Sequence, residues 1–540
     1  MAAAALKSRW SILAVSLVGG LSHGLAMPGS GLPFSEWLVF VGLALFAELI
    51  LGADARLRYA WLFGVAHFAV SSASLRHPLL PGYLIILSVG SLYFVGIAAC
   101  LRYAQRRHGR TRALLLLPLL WSLYETLKAQ MPQLQYPHAQ SAHALFEYPQ
   151  LLGPVRFFGE SGMNLLLAGV AVGLWALLRA ERRMALTLLA SSVLLWGLGV
   201  LLPSKTMLVE GAQSPHVALV QTGRPSYRDQ AGGEQFFNEE QPNAAIRWLV
   251  GQYRRLGPEI DAEGEPDLVV WPESTFGFAV DHDRMAADVR ILAYLLPPAA
   301  HTLFGALYTL PPKKKGEQRP QRIAAFYADR DGRLLGRHEK QILVPGGEFV
   351  PLIPSGSGLW LRQAIAKALD GATPDASAGE EQELLRLGER SFAAAICFEN
   401  AFPQVFAKAA LRGAEFFVVL SHEGWYRGGS ELDQLLASSV FRTLECGRPL
   451  LRSTTDGLTA WIGADGRIRD RLPLGQAGVL HTRPQPHRGE RMAMRWALRL
   501  PWFLAVAALI LLLGSFCRER RPAPAFRGYT PSRPKGARLS

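Results

Sequence analysis

Cysteine is scarce in this chain of 540 residues, and its copies follow no regular spacing. Cys100, Cys397, Cys446 and Cys517 form neither a disulfide framework nor a Cys-x-x-Cys metal site. Charged side chains make up only 19% of the sequence. Although the net charge is +14, the basic residues fall in short clusters, which excludes the dense patches of a nucleic-acid binder. With 50% hydrophobic residues, the composition favours a membrane protein.

Seven apolar stretches in the first two hundred residues are close to the roughly 20 residues that a helix needs to cross a bilayer. An eighth stretch follows at 496–514. The seven spans are predicted at 10–25, 32–52, 59–75, 82–101, 113–127, 162–178 and 184–202. The predicted domains are seven transmembrane helices (1–203), a soluble domain (204–491), a C-terminal transmembrane helix (492–515) and a basic tail (516–540).

Basic residues fall in alternate loops between the predicted spans, and such loops stay on the cytoplasmic side. The loops at 102–112 and 179–183 carry much of this charge. This pattern places residues 204–491 on the outer face and the basic tail inside. A buried all-helical core is the alternative, in which the charge alternation would be coincidence. Lys7 and Arg9 resemble a signal-peptide flank, but no small-residue cleavage site follows, so we expect a retained helix.

The predicted outer region carries short β-branched runs between helical stretches, which indicates a soluble α/β domain. The runs are apolar throughout, so we expect strands buried on both faces, in sheets covered by helices. Strands are predicted at 217–220, 267–271, 391–397 and 415–420, and helices at 243–256 and 401–411.

Reactive side chains accompany these predicted strands, where loops present residues to a pocket. Glu273 follows a strand and a proline, so its place is fixed and partial burial can raise its pKa for acid–base work. Lys340 precedes an apolar, strand-like run, and Glu348 follows two glycines in a rigid turn between prolines. The plainer alternatives are a glutamate in the first turn of a helix, a surface lysine and a solvated turn glutamate.

Cys397 ends an apolar strand, and the next helix is expected to begin near Ala401. The positive end of that helix would lower the pKa of the thiol and favour the nucleophilic thiolate. A buried core cysteine is the plainer alternative, since free cysteine is among the most buried residue types.

Three motifs occur in order: Trp-Pro-Glu-Ser (271–274), Lys-x-x-Leu-Val-Pro-x-Gly-Glu-Phe-Val-Pro (340–351) and Ile-Cys-Phe-Glu (396–399). Together they resemble the nitrilase or carbon-nitrogen hydrolase superfamily with its Glu-Lys-Cys triad. The predicted spans, the segment 146–166 and the segment 447–457 resemble its apolipoprotein N-acyltransferase branch. The resemblance implies a multi-pass α-helical membrane domain with a nitrilase-like α-β-β-α sandwich, on the periplasmic face of a bacterial inner membrane.

The resemblance also implies a mechanism. Cys397 would be the nucleophile, Glu273 the general base and Lys340 the cation that stabilises the oxyanion. A phospholipid among the membrane lipids would donate an acyl chain to form a thioester, and the N-terminal amine of diacylglyceryl-cysteine on an apolipoprotein would accept it in a ping-pong reaction. No cofactor, metal or nucleic acid is expected, and the expected state is a monomer.

Supporting roles follow from the same resemblance. Glu348 would hydrogen-bond within the triad, and the backbone N–H of Phe398 would be a second oxyanion donor. Glu399 would support the pocket wall or lid. Trp425 and Tyr426 would belong to a lid over the substrate.

Two places depart from the family pattern. Gly346 stands where members usually have a bulky side chain, which puts a local acyl contact in doubt. His422 and Glu423 replace the usual Asn-Asp pair; they either alter headgroup preference or belong to a variable loop of a mobile lid. A His-Glu pair also invites a metal interpretation, but it has no partner at His-x-x-x-His spacing.

Two other function classes stay open on the sequence alone. A membrane-tethered amidase or nitrilase would use the same triad to hydrolyse a small carbon-nitrogen substrate. A non-catalytic scaffold could keep the fold, although the presence of all three triad residue types argues against it.

Overall fold

A computed structural model describes residues 8–53, 55–203, 207–209, 213–223, 250–276, 279–312, 319–353, 358–368, 375–380, 382–496 and 499–513. The predicted basic tail and residues 243–249 of a predicted helix lie outside the described residues. The remainder divides into a helical region and a domain built on β-sheets.

The amino-terminal region is helical, because apolar segments that meet lipid must satisfy their backbone hydrogen bonds internally. Its helices are α1 (Arg9–Leu25), α2 (Leu38–Ala47), α3 (Leu57–Ser71), α4 (Arg76–Ile85), α5 (Leu92–His108), α6 (Arg110–Gln130), α7 (Val155–Leu178) and α8 (Arg182–Leu201). Each of the seven predicted spans falls on one or more of these helices.

Four helical stretches among the described residues are long and apolar enough to cross a membrane. They are Ser35–Gly52, Ala73–His108, Val155–Leu178 and Arg182–Leu201, and Leu500–Leu513 is a shorter apolar helix. The number of spans and the predicted domain boundaries stay predictions.

The stretch Ala73–His108 is longer than the span predicted at 82–101, and it contains a kink. Leu79 leaves the helical conformation (φ −152°, ψ 83°) between Pro78 and Pro81. Proline lacks a backbone N–H and clashes with the preceding turn, so the helix breaks here.

The helical region has an aromatic core. Phe46 of α2, Phe63 of α3, Phe94 of α5 and Trp121 of α6 are fully buried. Their rings meet edge to face, as in the pair Phe46 and Phe63 with centroids 5.0 Å apart. Close packing of this kind holds helices together where lipid is as apolar as the core.

The second region contains two mixed sheets. Its strands are β1 (Met207–Leu208), β2 (Val217–Gln221), β3 (Leu268–Val270), β4 (Ala279–Asp281), β5 (His301–Thr309), β6 (Gln321–Asp329), β7 (Leu334–Glu339), β8 (Leu384–Leu387), β9 (Arg390–Ile396), β10 (Phe416–Ser421), β11 (Leu450–Thr454), β12 (Ala460–Ile462), β13 (Ile468–Arg471), β14 (Gly478–Thr482) and β15 (His487–Arg488). One sheet has the order β13-β12-β11-β10-β9-β8 and the other β14-β2-β3-β5-β6-β7, with β4 beside β5. β1 pairs with β15.

The two sheets face each other across an apolar layer, and helices cover their outer faces, so the predicted α-β-β-α sandwich is confirmed. Val270 and Ile396 belong to the inner layer. Ser453 of β11 joins the sheets, since its hydroxyl donates to the backbone oxygen of Val220 at 2.7 Å. The remaining helices are α9 (Gly257–Ile260), α10 (Met285–Leu295), α11 (Leu359–Ala368), α12 (Pro403–Leu411), α13 (Glu431–Cys446), α14 (Met492–Trp496) and α15 (Leu500–Leu513). The last of these, α15, packs against α6 of the helical region and not on the sandwich.

Helix α13 of the sandwich lies against α7 of the helical region. Arg442 of α13 donates to Glu160 of α7 at 2.5 Å, and the backbone N–H of Glu160 donates to Glu445 at 2.9 Å. Buried charges persist only when they are paired and hydrogen-bonded. These contacts therefore hold the sandwich in one position against the membrane helices.

The predicted strands appear as β2, β3, β9 and β10, with ends shifted by at most one residue. Every residue of β2 and β10 is buried, as expected for strands covered on both faces. The strand predicted after Lys340 was wrong: 341–344 is a loop, and Lys340 instead follows β7. The helix predicted at 401–411 begins at Pro403.

Candidate active site

Four strand ends meet at one edge of the sandwich. β3 is parallel to β5, and two antiparallel pairings lead from β5 through β6 to β7, so β3 and β7 run in the same direction. In the facing sheet β9 and β10 are parallel. The residues that follow these strands come together: Glu273 after β3, Lys340 after β7, Cys397 after β9 and His422 after β10.

Lys340 occupies the centre of this cluster and is fully buried. Its Nζ lies 3.0 Å from Glu273 Oε1 and 2.5 Å from Glu348 Oε1. Burial alone would lower the pKa of the lysine, but the two carboxylates hold that pKa well above its ordinary value. The ammonium therefore stays charged, as a group that stabilises an oxyanion must.

Glu273 bridges Lys340 and the loop after β10. Its Oε2 accepts a hydrogen bond from the backbone N–H of His422 at 2.9 Å. Gly305 of β5 permits this position, because a Cβ at Gly305 would lie 1.7 Å from the backbone oxygen of Glu273. Sequence reasoning missed Gly305, although a glycine inside a strand is the signal for such a close backbone approach.

Glu348 lies in a turn that is stabilised by a hydrogen bond to its own carboxylate. Oε2 accepts from the backbone N–H of Val344 at 2.9 Å, while Oε1 bonds Lys340. Burial raises the pKa of Glu348; Lys340 opposes that rise and Glu273 adds to it. The turn thus holds the carboxylate of Glu348 next to Lys340, which already contacts Glu273.

Cys397 begins a 3-10 turn, Cys397–Ala401, with φ +50°. Its Sγ lies 3.9 Å from the backbone oxygen of His422. Burial, followed by the charge of Glu273, raises the pKa of the thiol to about 12. The prediction that a helix would lower this pKa was wrong, because α12 begins only at Pro403. The resting group is a thiol, and it needs a base to become a nucleophile.

Glu399 lies beneath the cavity, not in its wall. Its fully buried carboxylate accepts from the backbone N–H groups of Ile396 at 2.7 Å and Gln341 at 2.6 Å, which flank the thiol and the central lysine. Burial would raise the pKa of Glu399, but His338 and the backbone donors lower it. Glu399 therefore ties the strand of Cys397 to the strand of Lys340, and its supporting role for the pocket stays a prediction.

His422 and Glu423 face different surroundings. His422 lines the cavity and donates its backbone N–H to Glu273. Glu423 is 1% exposed, forms an ion pair with the buried Arg452 and accepts from the backbone N–H of Leu458 at 3.1 Å. The carboxylate of Glu423 is therefore bonded in the interior of the domain, and the effect of this departure on headgroup preference stays a prediction.

A cavity of about 1750 Å³ opens at this cluster. Its wall in the sandwich includes Glu273, Glu348 and Cys397. Its other wall comes from the helical region and is largely apolar: Leu79, Tyr83, Ile86, Val89 and Tyr93. A space of this size and lining suits a long apolar chain better than a small polar molecule.

Trp425 and Tyr426 line the cavity from the 3-10 turn Gly424–Tyr426, which follows β10. The ring of Trp425 lies 5.3 Å from that of His422. The predicted lid residues are thus brought to the same space as the predicted triad.

Phe398 lines the cavity beside a loop from the helical region. Its ring lies 6.2 Å from the ring of His138, whose backbone oxygen accepts from Lys128 Nζ of α6 at 2.6 Å. Sequence reasoning missed His138 and Lys128, because nothing local in the sequence joins them to Phe398.

Two family models match the chain: Apolipoprotein N-acyltransferase N-terminal domain over 19–173, and Carbon-nitrogen hydrolase over 259–492. An apolipoprotein N-acyltransferase from Geobacter metallireducens is 27% identical over 527 residues, covering 94% of this chain and 95% of that protein. One from Azotobacter vinelandii is 28% identical over 525 residues, covering 93% and 96%. The chain belongs to the apolipoprotein N-acyltransferase family.

The two matched regions correspond to the two parts of the structure, the helical region and the sandwich. Residues 19–173 run from the end of α1 through most of α7, and 259–492 cover most of the sandwich. Among solved structures, an amidase from Nesterenkonia sp. is 19% identical and covers 55% of this chain and 98% of that chain, with a TM-score of 0.34.

Gly346 was predicted to stand where family members have a bulky side chain. In the structure, a side chain from the helical region fills the space beside Gly346. Gly346 has φ +78°, and a Cβ built on it would lie 3.1 Å from Leu79 Cδ2. Leu79 is the residue at the break of α4. An apolar side chain from the membrane helix thus occupies the space beside the turn.

The buried carboxylate of Glu431, a few residues after the 3-10 turn Gly424–Tyr426, makes the stability of the fold depend on pH. Glu431 begins α13, is fully buried, and its Oε1 has no hydrogen-bond partner among the described residues. Burial raises the pKa of Glu431 to about 8. Because the folded state holds this proton more tightly than the unfolded state, the stabilisation is complete below the ordinary pKa of 4.5 and is lost as the pH rises through about 8.

We therefore expect Glu431→Gln to raise the unfolding temperature at pH 9 by several degrees and to leave it nearly unchanged at pH 5. The measurement is thermal unfolding of the detergent-solubilised protein between these pH values. Glu490→Gln, which changes an exposed carboxylate, is the matched control. Its unfolding temperature is expected to equal that of the parent at both pH 5 and pH 9. Equal pH slopes for Glu431→Gln and its parent would contradict the prediction.

Proposed function

We propose that this chain transfers an acyl chain from a phospholipid, through a thioester on Cys397, to the N-terminal amine of diacylglyceryl-cysteine on apolipoproteins. The observation that carries the proposal is the cavity of about 1750 Å³ at Cys397, with its apolar wall of membrane-helix residues. A site between the sandwich and these helices admits lipid from the side and limits water. Because little water reaches it, the thioester reacts with an amine before it is hydrolysed.

In the first half-reaction, Glu273 takes the proton of the Cys397 thiol as sulfur attacks the ester carbonyl of the phospholipid. A C–S bond forms, and the charge on the carbonyl oxygen is stabilised by Lys340 and by the backbone N–H of Phe398. The ester C–O bond then breaks. Glu273 returns the proton to the departing alkoxide, which leaves as lysophospholipid.

In the second half-reaction, the amine of the acceptor attacks the thioester carbonyl. Glu273 accepts a proton from the nitrogen, and Lys340 again stabilises the oxyanion. The C–N bond forms, the C–S bond breaks, and the Cys397 sulfur recovers its proton. The two substrates thus react in turn with one nucleophile, which gives ping-pong kinetics.

A membrane-tethered amidase acting on a small substrate is disfavoured by the size and lining of the cavity. The discriminating experiment incubates the full chain with phospholipid, measures its intact mass, and then adds a diacylated lipopeptide. We expect one acyl group on Cys397, which moves to the lipopeptide amine. A protein that takes no acyl group from phospholipid but hydrolyses small amides would refute the proposal, and a protein that does neither would be a scaffold.

We place the protein in the inner membrane, with residues 204–491 in the periplasm. A reporter that is active only in the periplasm is expected to be active when fused near Gln221 and silent when fused after Arg107, because the basic loop at 102–112 stays in the cytoplasm. A second reporter, active only in the cytoplasm, serves as the control and should give the reverse result. Activity of the periplasmic reporter after Arg107 alone would overturn the orientation.

A further inference from the structure

A pair of histidines meets a carboxylate on the sandwich, away from the cavity. His216, directly before β2, and His481, within β14, lie next to a turn that carries Glu263. One ligand atom from each of the three lies within 4.8 Å of the others. We propose that His216, His481 and Glu263 bind a divalent transition-metal ion, zinc being the ion that this donor set fits.

The orientation of His481 supports this site. Its Nε2 lies 2.8 Å from the backbone oxygen of Glu259, so that nitrogen carries the proton, and Nδ1 presents its lone pair to the cluster. Metal-binding histidines commonly donate their second ring N–H to a carbonyl or carboxylate, which sets the tautomer.

His216 faces that lone pair. Its Nε2 lies 2.9 Å from Nδ1 of His481, and its backbone N–H is held by Asp267 Oδ2 at 2.8 Å. In tetrahedral zinc sites with Zn–N distances of about 2.0–2.1 Å, two nitrogens lie about 3.3 Å apart. For a metal to bind, the rings would separate by about 0.4 Å and the proton of His216 would move from Nε2 to Nδ1, so that the ring stays neutral and both facing nitrogens offer lone pairs.

The charges around the pair favour a cation. In a chain of net charge +14, the eleven residues 257–267 contain five carboxylates. Glu263 is exposed and its Oε2 accepts from Arg483 at 2.8 Å, so the ion would reach the pair from solvent past this side chain.

The site joins three segments at the edge of the seven-stranded sheet. Among the described residues, β14 is the edge strand of that sheet and pairs with β2 alone. An ion bound to both strands and to the turn after α9 would stabilise this edge against opening, because it binds the folded state alone.

The test titrates zinc chloride into the full chain in detergent micelles after removal of metal with EDTA. We expect one bound zinc per chain, a higher unfolding temperature with zinc, and at least tenfold weaker binding for His216→Ala and His481→Ala. His282→Ala, which changes an exposed histidine of the same domain, is expected to bind like its parent. The titration is repeated with Cys397→Ala, because the nucleophile's thiol is the competing zinc ligand.

Cobalt chloride added to the parent protein keeps the test independent of how the variants fold. Nitrogen and oxygen ligands predict visible d–d bands without the near-ultraviolet thiolate charge-transfer band. Absence of stoichiometric zinc, equal binding by parent and histidine variants, or a thiolate band that Cys397→Ala removes would each overturn the proposal. The pair would then be a hydrogen bond between neutral rings. None of these outcomes bears on acyl transfer, which is assayed separately.

Discussion

Cys397→Ala is expected to abolish acyl transfer, with a loss of roughly 10⁴-fold or more, because it removes the atom that carries the acyl group. Cys397→Ser should be nearly as inactive. A hydroxyl loses its proton far less readily than a thiol, and burial beside Glu273 already raises the pKa of the thiol to about 12. The measurement is transfer of a labelled acyl chain from phospholipid to a lipopeptide, followed by mass spectrometry.

Cys446→Ala is the matched control for this experiment. Cys446 is fully buried at the end of α13 and lies outside the cavity lining. Its replacement by alanine removes the same kind of sulfur atom as Cys397→Ala does. It should keep its activity at a small cost in stability. Substantial turnover by either Cys397 variant, in protein that folds and inserts normally, would mean that another group is the nucleophile.

Lys340→Ala is expected to lower both activity and stability strongly. The ammonium is the shared partner of Glu273 and Glu348, at 3.0 and 2.5 Å. Removing it leaves the buried carboxylate of Glu273 and the half-buried carboxylate of Glu348 facing each other, and breaking a buried ion pair in this way costs about 3–5 kcal/mol. The oxyanion also loses its cation, so no acyl-enzyme should form. Intact mass after incubation with phospholipid tests this, and thermal unfolding tests the stability loss.

Glu273→Gln separates the chemical effect from most of the loss of stability, because the amide keeps the volume and its one oxygen can still accept from either Lys340 or the backbone N–H of His422. It cannot take a proton, so the acyl-enzyme should again fail to form, with a rate loss of roughly 10²–10⁴-fold. Lys408→Ala, on the exposed face of α12, should behave like the parent. Accumulation of an acyl adduct on Cys397 in Glu273→Gln would mean that another group is the base. Glu348→Gln is expected to form the adduct slowly, since Glu348 acts on the geometry of Lys340.

Local patterns in the sequence determined the division into a helical region and an α/β domain and singled out the candidate residues, while the resemblance of their motifs to a known family implied the sandwich and the triad. Apolar runs of helix length, alternating basic loops and short β-branched runs predicted the helical region and the α/β domain, because hydrophobic period and length are properties of neighbouring residues. Glu273, Lys340 and Cys397 were found for a similar reason. Each lies at or next to one end of a strand or strand-like run, and the ends of strands are where loops present side chains.

Only the tertiary structure decided the environment of those residues. The sequence placed a helix dipole at Cys397, whereas burial and the charge of Glu273, contributed by another strand, control its pKa. Leu79 fills the space beside Gly346, and Arg452 binds Glu423 inside the domain. These partners lie far apart in the chain, and the energy of each contact depends on burial and distance, which the packing of helices against sheets sets and no local pattern encodes.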